Sequence, residues 1–207
     1  QVPAGDLPLS NWIAGMNVCD VDIDGRKQFT GGYEVYVNQE PAGIAEEYMK
    51  AGLGQIAETG GVFRTRWGAP DLPVYAFTDD DIVISAPQQF DPFPGLQGTQ
   101  NAIRVTHPSA SNLWEPVQTP LITNADWEAS DGGRRLTTLL SAGACFNHAQ
   151  AQQIGRAYIE DARRFRTHTQ VLPPDAQQLE PLDSVEWTSA RGGYLNKLFE
   201  LSEVEYH

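Results

Sequence analysis

Residues 147–173 read "NHAQAQQIGRAYIEDARRFRTHTQVLP". Asn147 is a favourable N-cap, because its side-chain oxygen can accept the free N–H groups of a first helical turn. Ala151, Ile154, Tyr158, Ala162 and Phe165 then step by three or four, which predicts a helix from His148 to about Arg164 with one buried face. At "THTQVLP" the period drops to two, so a strand follows. A single helix set among strands predicts an α+β fold, with a sheet or barrel that this helix plugs or covers.

Strands continue outward from that stretch. Downstream, "SVEW" and "KLFELSEVEY" alternate as strands. Pro181 turns the chain so that Leu182 and Val185 point into a core, and Gly192-Gly193 permit the backbone angles of a hairpin. Phe199, Leu201 and Val204 then pack the return strand. Upstream, "NAIRVTHP" reads as a strand, and "PLITNADWEASDGGRRLTTLLS" as strand, turn at Asp131-Gly132-Gly133, strand. The Pro-, Gly- and Gln-rich "PQQFDPFPGLQGTQ" is the best internal boundary. It separates a small helix-strand-helix-strand domain, residues 1–98, from a barrel-like β domain with one helix, residues 99–207.

In the first half, Ser10 caps a short helix over Asn11 to Cys19 that packs Trp12, Ile13 and Met16. "QFTGGYEVYV" reads as a strand with Tyr33, Val35 and Val37 on one face. Pro41 starts a helix predicted from about Ala42 to Glu58, with Ala45, Met49, Leu53 and Ile56 buried and Gly60-Gly61 as its stop. "GVFRTRW" and "PVYAF" follow as strands. Thr78 then caps a first helical turn of acids, Asp79 to Asp81.

Composition bounds the function. Of 207 residues, 41% are hydrophobic, enough for a core, and the net charge is −13. The charge is uneven: about −9 falls before residue 101 and about −4 after it. A chain this acidic repels a phosphate backbone, which argues against sequence-reading nucleic-acid binding. No run of eighteen apolar residues occurs, so no membrane-spanning helix is expected. The opening "QVPAGDLPLS" lacks a signal-peptide pattern and resembles a cut inside a longer polypeptide.

Several motifs invite chemistry and fall short of it. "DVDIDG", Asp20 to Gly25, begins like a calcium-binding loop, but its twelfth position is Gly31 rather than a bidentate Glu. It reads instead as a strand end, with Val21 and Ile23 inward and a turn at Asp24-Gly25. Asp79, Asp80 and Asp81 fan out around a helix and converge poorly on one ion. Glu46-Glu47 and Glu160-Asp161 read as solvated acid pairs on helix faces. His107, His148, His168 and His207 lack metal-ligand spacing. Cys145 and His148 could pair as nucleophile and base, yet Cys19 and Cys145 read better as buried thiols. No catalytic, metal-binding or cofactor-binding residue is assigned, and no enzyme activity is expected. Arg156, Arg163, Arg164 and Arg166 line the helix and its exit. They suit the helix dipole, with Glu160-Arg164 as an i,i+4 pair, or alternatively form a docking surface for an acidic neighbour.

The block "ASDGGRRLTTLLSAG", followed by "AQQIGRAYIEDARRFRTHTQVLPPDAQQLEPLDSVEWTSARGGYLNKLFEL", resembles the hub region of phage tail proteins. The resemblance is to tail proteins of alphaproteobacterial prophages and gene transfer agents, and more weakly to the tip attachment protein of lambda-like phages. Asp131-Gly132-Gly133-Arg134, Glu160-Asp161, Glu180-Pro181-Leu182-Asp183, Gly192-Gly193-Tyr194 and Lys197 to Glu200 carry it. "NVCDVDIDGRKQFTGGYEVYVNQEPAGIAEEYMKAGLGQIAETGGVFR" parallels the unit that precedes that hub. The resemblance implies a structural virion tail component, made in the bacterial cytoplasm from a prophage. It implies a homotrimeric hub with barrel-like tube domains through which DNA leaves, assembled with other tail-tip and tail-tube proteins. Rival readings are a carbohydrate- or receptor-binding module, suggested by five tryptophans including Trp67, Trp114, Trp127 and Trp187, and a cell-wall hydrolase domain.

Overall fold

The computed structural model describes residues 3–93 and 95–206; His207 and Pro94 lie outside the described residues. The helices are α1 (Leu9–Cys19), α2 (Pro41–Ala51), α3 (Gly95–Gly98), α4 (Ala125–Ser130) and α5 (His148–Asp161). The strands are β1 (Asp22–Ile23), β2 (Arg26–Lys27), β3 (Gly54–Thr59), β4 (Val62–Trp67), β5 (Tyr75–Thr78), β6 (Gln89–Asp91) and β7 (Ala102–Pro108). They continue with β8 (Pro116–Gln118), β9 (Ile122–Thr123), β10 (Thr137–Ser141), β11 (Thr167–Thr169), β12 (Ser184–Ser189) and β13 (Tyr194–Glu200). The fold is α+β. The strands form several small sheets, and among the described residues none closes on itself. Two compact units form, each from segments on both sides of residue 98. One takes residues up to 14, 55–92 and from 166 onward; the other takes 15–54 and 93–165.

The unit built on 15–54 and 93–165 is organised by β7. β10 lies parallel to it, while β8 and β9 pair antiparallel along its other edge. Ile103 and Val105 of β7 are fully buried. Val105 joins Ala142, Ala144, Cys145, Ala151 and Ile154 in one core, and burying each large side chain contributes about 1.5–3 kcal/mol. Asn147 caps α5 through Oδ1, which accepts from the N–H groups of Ala149 and Gln150. The buried stripe of α5 is Gln150, Ala151, Ile154, Gly155 and Ile159. It is turned one residue from the predicted stripe, leaving Tyr158 exposed. Gln150 supplies the reason for the turn. Its amide oxygen accepts from the Thr30 N–H and hydroxyl, and its amide nitrogen donates to the carbonyls of Thr30 and Ala51. Hydrogen-bonded at both its oxygen and its nitrogen, the amide avoids the desolvation cost of an unsatisfied buried polar group.

The unit containing residues 55–92 and 166 onward holds the three-stranded sheet β13-β12-β5, with β5 parallel and β13 antiparallel to β12. Phe77, Ile82, Ala176, Leu179, Val185, Trp187 and Tyr194 form its core. β3 and β4 make a hairpin whose turn is Gly60-Gly61, both at positive φ. Asn11 of α1 extends that hairpin: its amide donates to the Thr65 carbonyl at 2.9 Å and accepts the Thr65 N–H at 2.8 Å.

Four local expectations are corrected. The second helix stops at Ala51, because Leu53 adopts φ +50° and the chain leaves as β3. Residues 125–130 form α4, capped by Asn124, so Asp131-Gly132-Gly133 ends a helix rather than joining two strands. Ile13 and Met16 of α1 are exposed, and the buried residue there is Gly15. "QFTGGYEVYV" forms no strand among the described residues: it joins no sheet, and its last residue, Val37, lies in a turn closed by the Gln39 N–H on the Tyr36 carbonyl.

Candidate functional site

The histidine, cysteine and carboxylate candidates resolve into structural roles. Cys145 is fully buried, its thiol donates to the Asn147 carbonyl at 3.5 Å, and burial pushes its pKa up. A raised pKa disfavours the thiolate that a nucleophile needs. Both cysteines are free thiols, and Cys19 is only half-buried. His148 turns instead to buried His107: His107 Nε2 and His148 Nδ1 are 3.1 Å apart, and His107 Nδ1 lies 2.9 Å from the Pro108 carbonyl. A carbonyl only accepts, so His107 carries its proton on Nδ1 and its Nε2 receives the proton of His148 Nδ1.

"DVDIDG" forms the β1–β2 hairpin, with Asp24 at φ +51° and Gly25 at φ +78°. Two consecutive positive φ values are what a tight hairpin turn requires. Asp22 pairs with Lys27 at 3.3 Å, and Val21, expected inward, is exposed. Among the described residues no group of three His, Cys, Asp or Glu side chains could hold a metal ion. Asp79 to Asp81 form a single 3-10 turn, in which the Asp81 carboxylate accepts from the Thr78 N–H and hydroxyl. Those two bonds hold the Asp81 carboxyl below the usual range. Glu47, expected on a solvated face, accepts from the Gly143 N–H at 2.9 Å and from Lys50 at 2.8 Å.

The arginine row divides. Arg163 donates to Asp131 at 2.7 Å, with only 12% and 11% of the two side chains accessible. Its guanidinium also lies over Trp127 and Phe165, at 5.4 and 4.8 Å from the ring centroids. Asp131, held by Arg163 and by the Asn101 amide, has its carboxyl pulled below the usual range. This closes the "DGG" turn onto the end of α5, so Arg163 belongs to the interior. Arg156 and Arg164 face solvent, paired with Glu160 and Asp161 respectively. Arg166 lies over the Tyr194 ring at 5.4 Å.

His168 is the hub of an aromatic cluster that the sequence did not single out. Its ring stacks on Phe90 at 4.4 Å and meets Trp187, Tyr194 and Phe199 edge-on, and Nε2 lies 3.0 Å from the Tyr194 hydroxyl. Burial first, then the charges of Arg166 and Arg191, lowers its pKa. Trp187 is buried, Trp12, Trp67 and Trp127 are half-buried, and Trp114 is exposed.

What remains outward is apolar surface on open edges. β10 and β13 are sheet edges among the described residues. Leu139 protrudes from β10, and Leu195 and Leu198 from β13. Leu113 and Trp114, both at positive φ, form an exposed loop tip. Val35, Tyr36 and Val37 are exposed where the chain passes, outside any sheet, into the turn at Val37. Open edges and exposed apolar rows are features through which chains can pair with other chains.

The family follows from the sequence itself. Residues 45–198 match the Phage-tail_3 family, described as "Putative phage tail protein", and the chain belongs to that family. Its place is the virion tail. Two solved structures share the fold. One is a chain of the virion of a native gene transfer agent particle, at 19% identity and a TM-score of 0.67, covering 93% of this chain and 42% of that one. The other is the 43 kDa tail protein of prophage MuSo2 from Shewanella oneidensis, at 12% identity and a TM-score of 0.53, covering 86% of this chain and 53% of that one. The chain thus spans about half the length of these relatives or less. No curated protein matches it. No helix among the described residues is long and apolar enough to cross a membrane.

Proposed function

We propose that this chain is a structural part of a tail-tip hub, working by self-assembly rather than catalysis. Copies close into a three-fold ring beside other tail-tip and tail-tube proteins, and DNA passes through it on delivery. The observation that carries the reading is the set of open, apolar strand edges on a member of a tail protein family. The small sheets acquire tube-like character only when neighbouring copies complete them. The net charge of −13 suits a passage, because an acidic wall does not hold a phosphate backbone. The candidate nucleophile Cys145 is buried and the acids Asp79 to Asp81 are occupied in a turn, which supports a role without catalytic, metal or cofactor residues.

Light scattering on the complete polypeptide tests the ring. Three copies per particle are expected, and a monomer or dimer at high concentration overturns it. Incubation with purified peptidoglycan tests the absence of catalysis. No turnover is expected; turnover abolished by substituting a carboxylate of this chain overturns it.

A further inference from the structure

The segment Tyr33–Tyr36 runs without turn or bend and joins no sheet among the described residues. Tyr33 is half-buried against the core formed with Leu140 and Ala144, and Gly32 donates its N–H to the Ala144 carbonyl at 2.9 Å. Beyond that rung the chain runs without turn or bend as far as Tyr36, where the Gln39 N–H closes a turn on the Tyr36 carbonyl at 3.0 Å, and the N–H groups of Tyr33, Glu34 and Val35 find no acceptor among the described residues. Alternation places Tyr33 and Val35 on one face. That face starts in the core and runs into water, with Val35 53% exposed. On the opposite face, Glu34 and Tyr36 share a hydrogen bond, which raises the Tyr36 pKa. A free row of N–H groups, a β-branched face and a fixed first rung together make a template for pairing with another strand.

We infer that Tyr33–Tyr36 adds as a strand to the open edge of β13 on a second copy of this chain. Among the edge strands, β10 and β13 are the ones that carry exposed leucines, and charge chooses between them. β10 is Thr-Thr-Leu-Leu-Ser, with no cation. β13 carries Lys197, which has no carboxylate partner among the described residues, flanked by exposed Leu195 and Leu198. The donor segment offers Glu34 and no cation. Glu34 therefore meets Lys197 while Val35 covers Leu198. The contact joins different patches on the two copies, so repeating it closes a ring when the rotation allows. The inference rests on the reading of the chain as a self-assembling tail component.

Two differently tagged versions of the complete polypeptide test it, one carrying Val35→Cys and the other Leu198→Cys, both with Cys19→Ser. Oxidation is followed on denaturing gels, and particle mass is measured on the same mixture. A trimeric mass with a disulfide joining the two tags is the expected result. A trimeric mass with no mixed-tag disulfide overturns the strand pairing and leaves the ring standing. A monomeric mass overturns the ring, and the pairing with it. Val35→Pro is the second variant, since proline removes an N–H that no intramolecular acceptor uses. Its thermal unfolding should match the parent while the trimer falls at least tenfold in abundance; a trimer of unchanged abundance overturns the pairing.

Discussion

Arg163 and Asp131 join two parts of the chain that are 32 residues apart, by a charge-assisted bond with little water around it. The two rings beside the guanidinium exclude more. Removing one partner leaves the other charge buried, and such losses cost about 3 kcal/mol or more. Asp131→Ala should therefore lower Tm by several degrees, read by calorimetry, whereas Arg164→Ala on the exposed neighbour should shift it little. The pH dependence has a definite sign. The folded pKa of Asp131 lies below the unfolded value of about 3.9, so the pair stabilises above that value and is lost as pH falls below about 4. His168 acts in a higher window. Its folded pKa lies below the unfolded value of about 6.5, so protonation favours the unfolded chain and stability falls as pH drops from about 6.5. His168→Phe, which keeps a ring against Phe90, should flatten the denaturant midpoint between about pH 6.5 and 5. An unchanged pH profile in that variant would remove His168 as the cause.

At the scale of elements, α5 is fixed to β7 by a close approach at Gly155. A Cβ there would lie 2.7 Å from Val105 Cγ2 and 3.0 Å from Ile122 Cδ1. Alanine favours an isolated helix by roughly 0.8–1.0 kcal/mol over glycine, but overpacking costs about 1–3 kcal/mol. Gly155→Ala should therefore destabilise the protein, visible as a lower midpoint in urea; a higher midpoint would show that the helix lifts off the sheet freely. The helix itself was legible from Asn147 and the apolar spacing. Its exact face was not, because Gln150 and Gly155 are buried for hydrogen bonding and close approach, and neither is marked by hydrophobicity. Spacing also misled at Ile56. Apolar residues four apart continue past Ala51, but Leu53 turns the backbone left-handed, and Ile56 falls on a strand. Among the arginines, sequence placed Arg163 and Arg164 together. Only the path of the chain after Asp161 turns one inward and one outward. The expected strand through Tyr33, Val35 and Val37 does not form among the described residues, and Val37 lies in a turn. The family was legible because whole blocks recur in order, which needs no knowledge of side-chain direction.

At the scale of the molecule, charge opposes assembly and edges favour it. Each copy carries −13, and the segments up to residue 100 hold most of that charge. Bringing copies into a ring concentrates like charge, a self-repulsion that acts over the Debye length of about 10 Å at 0.1 M salt. The strand pairing and leucine contacts are short-ranged and insensitive to salt, while an exposed Glu34–Lys197 pair contributes under about 1 kcal/mol. Repulsion is therefore the larger electrostatic effect, and salt should promote the ring. Between about 0.05 and 0.5 M sodium chloride the Debye length falls roughly threefold, and the trimer fraction measured by sedimentation velocity should rise. Neutralising the cation by Lys197→Gln should weaken the ring slightly at low salt and leave the rise in place. A ring that dissociates as salt increases would mean that opposite charges, not edges, hold the copies together. The partner surface would then have to be sought at the exposed cations Arg156 and Arg164 instead.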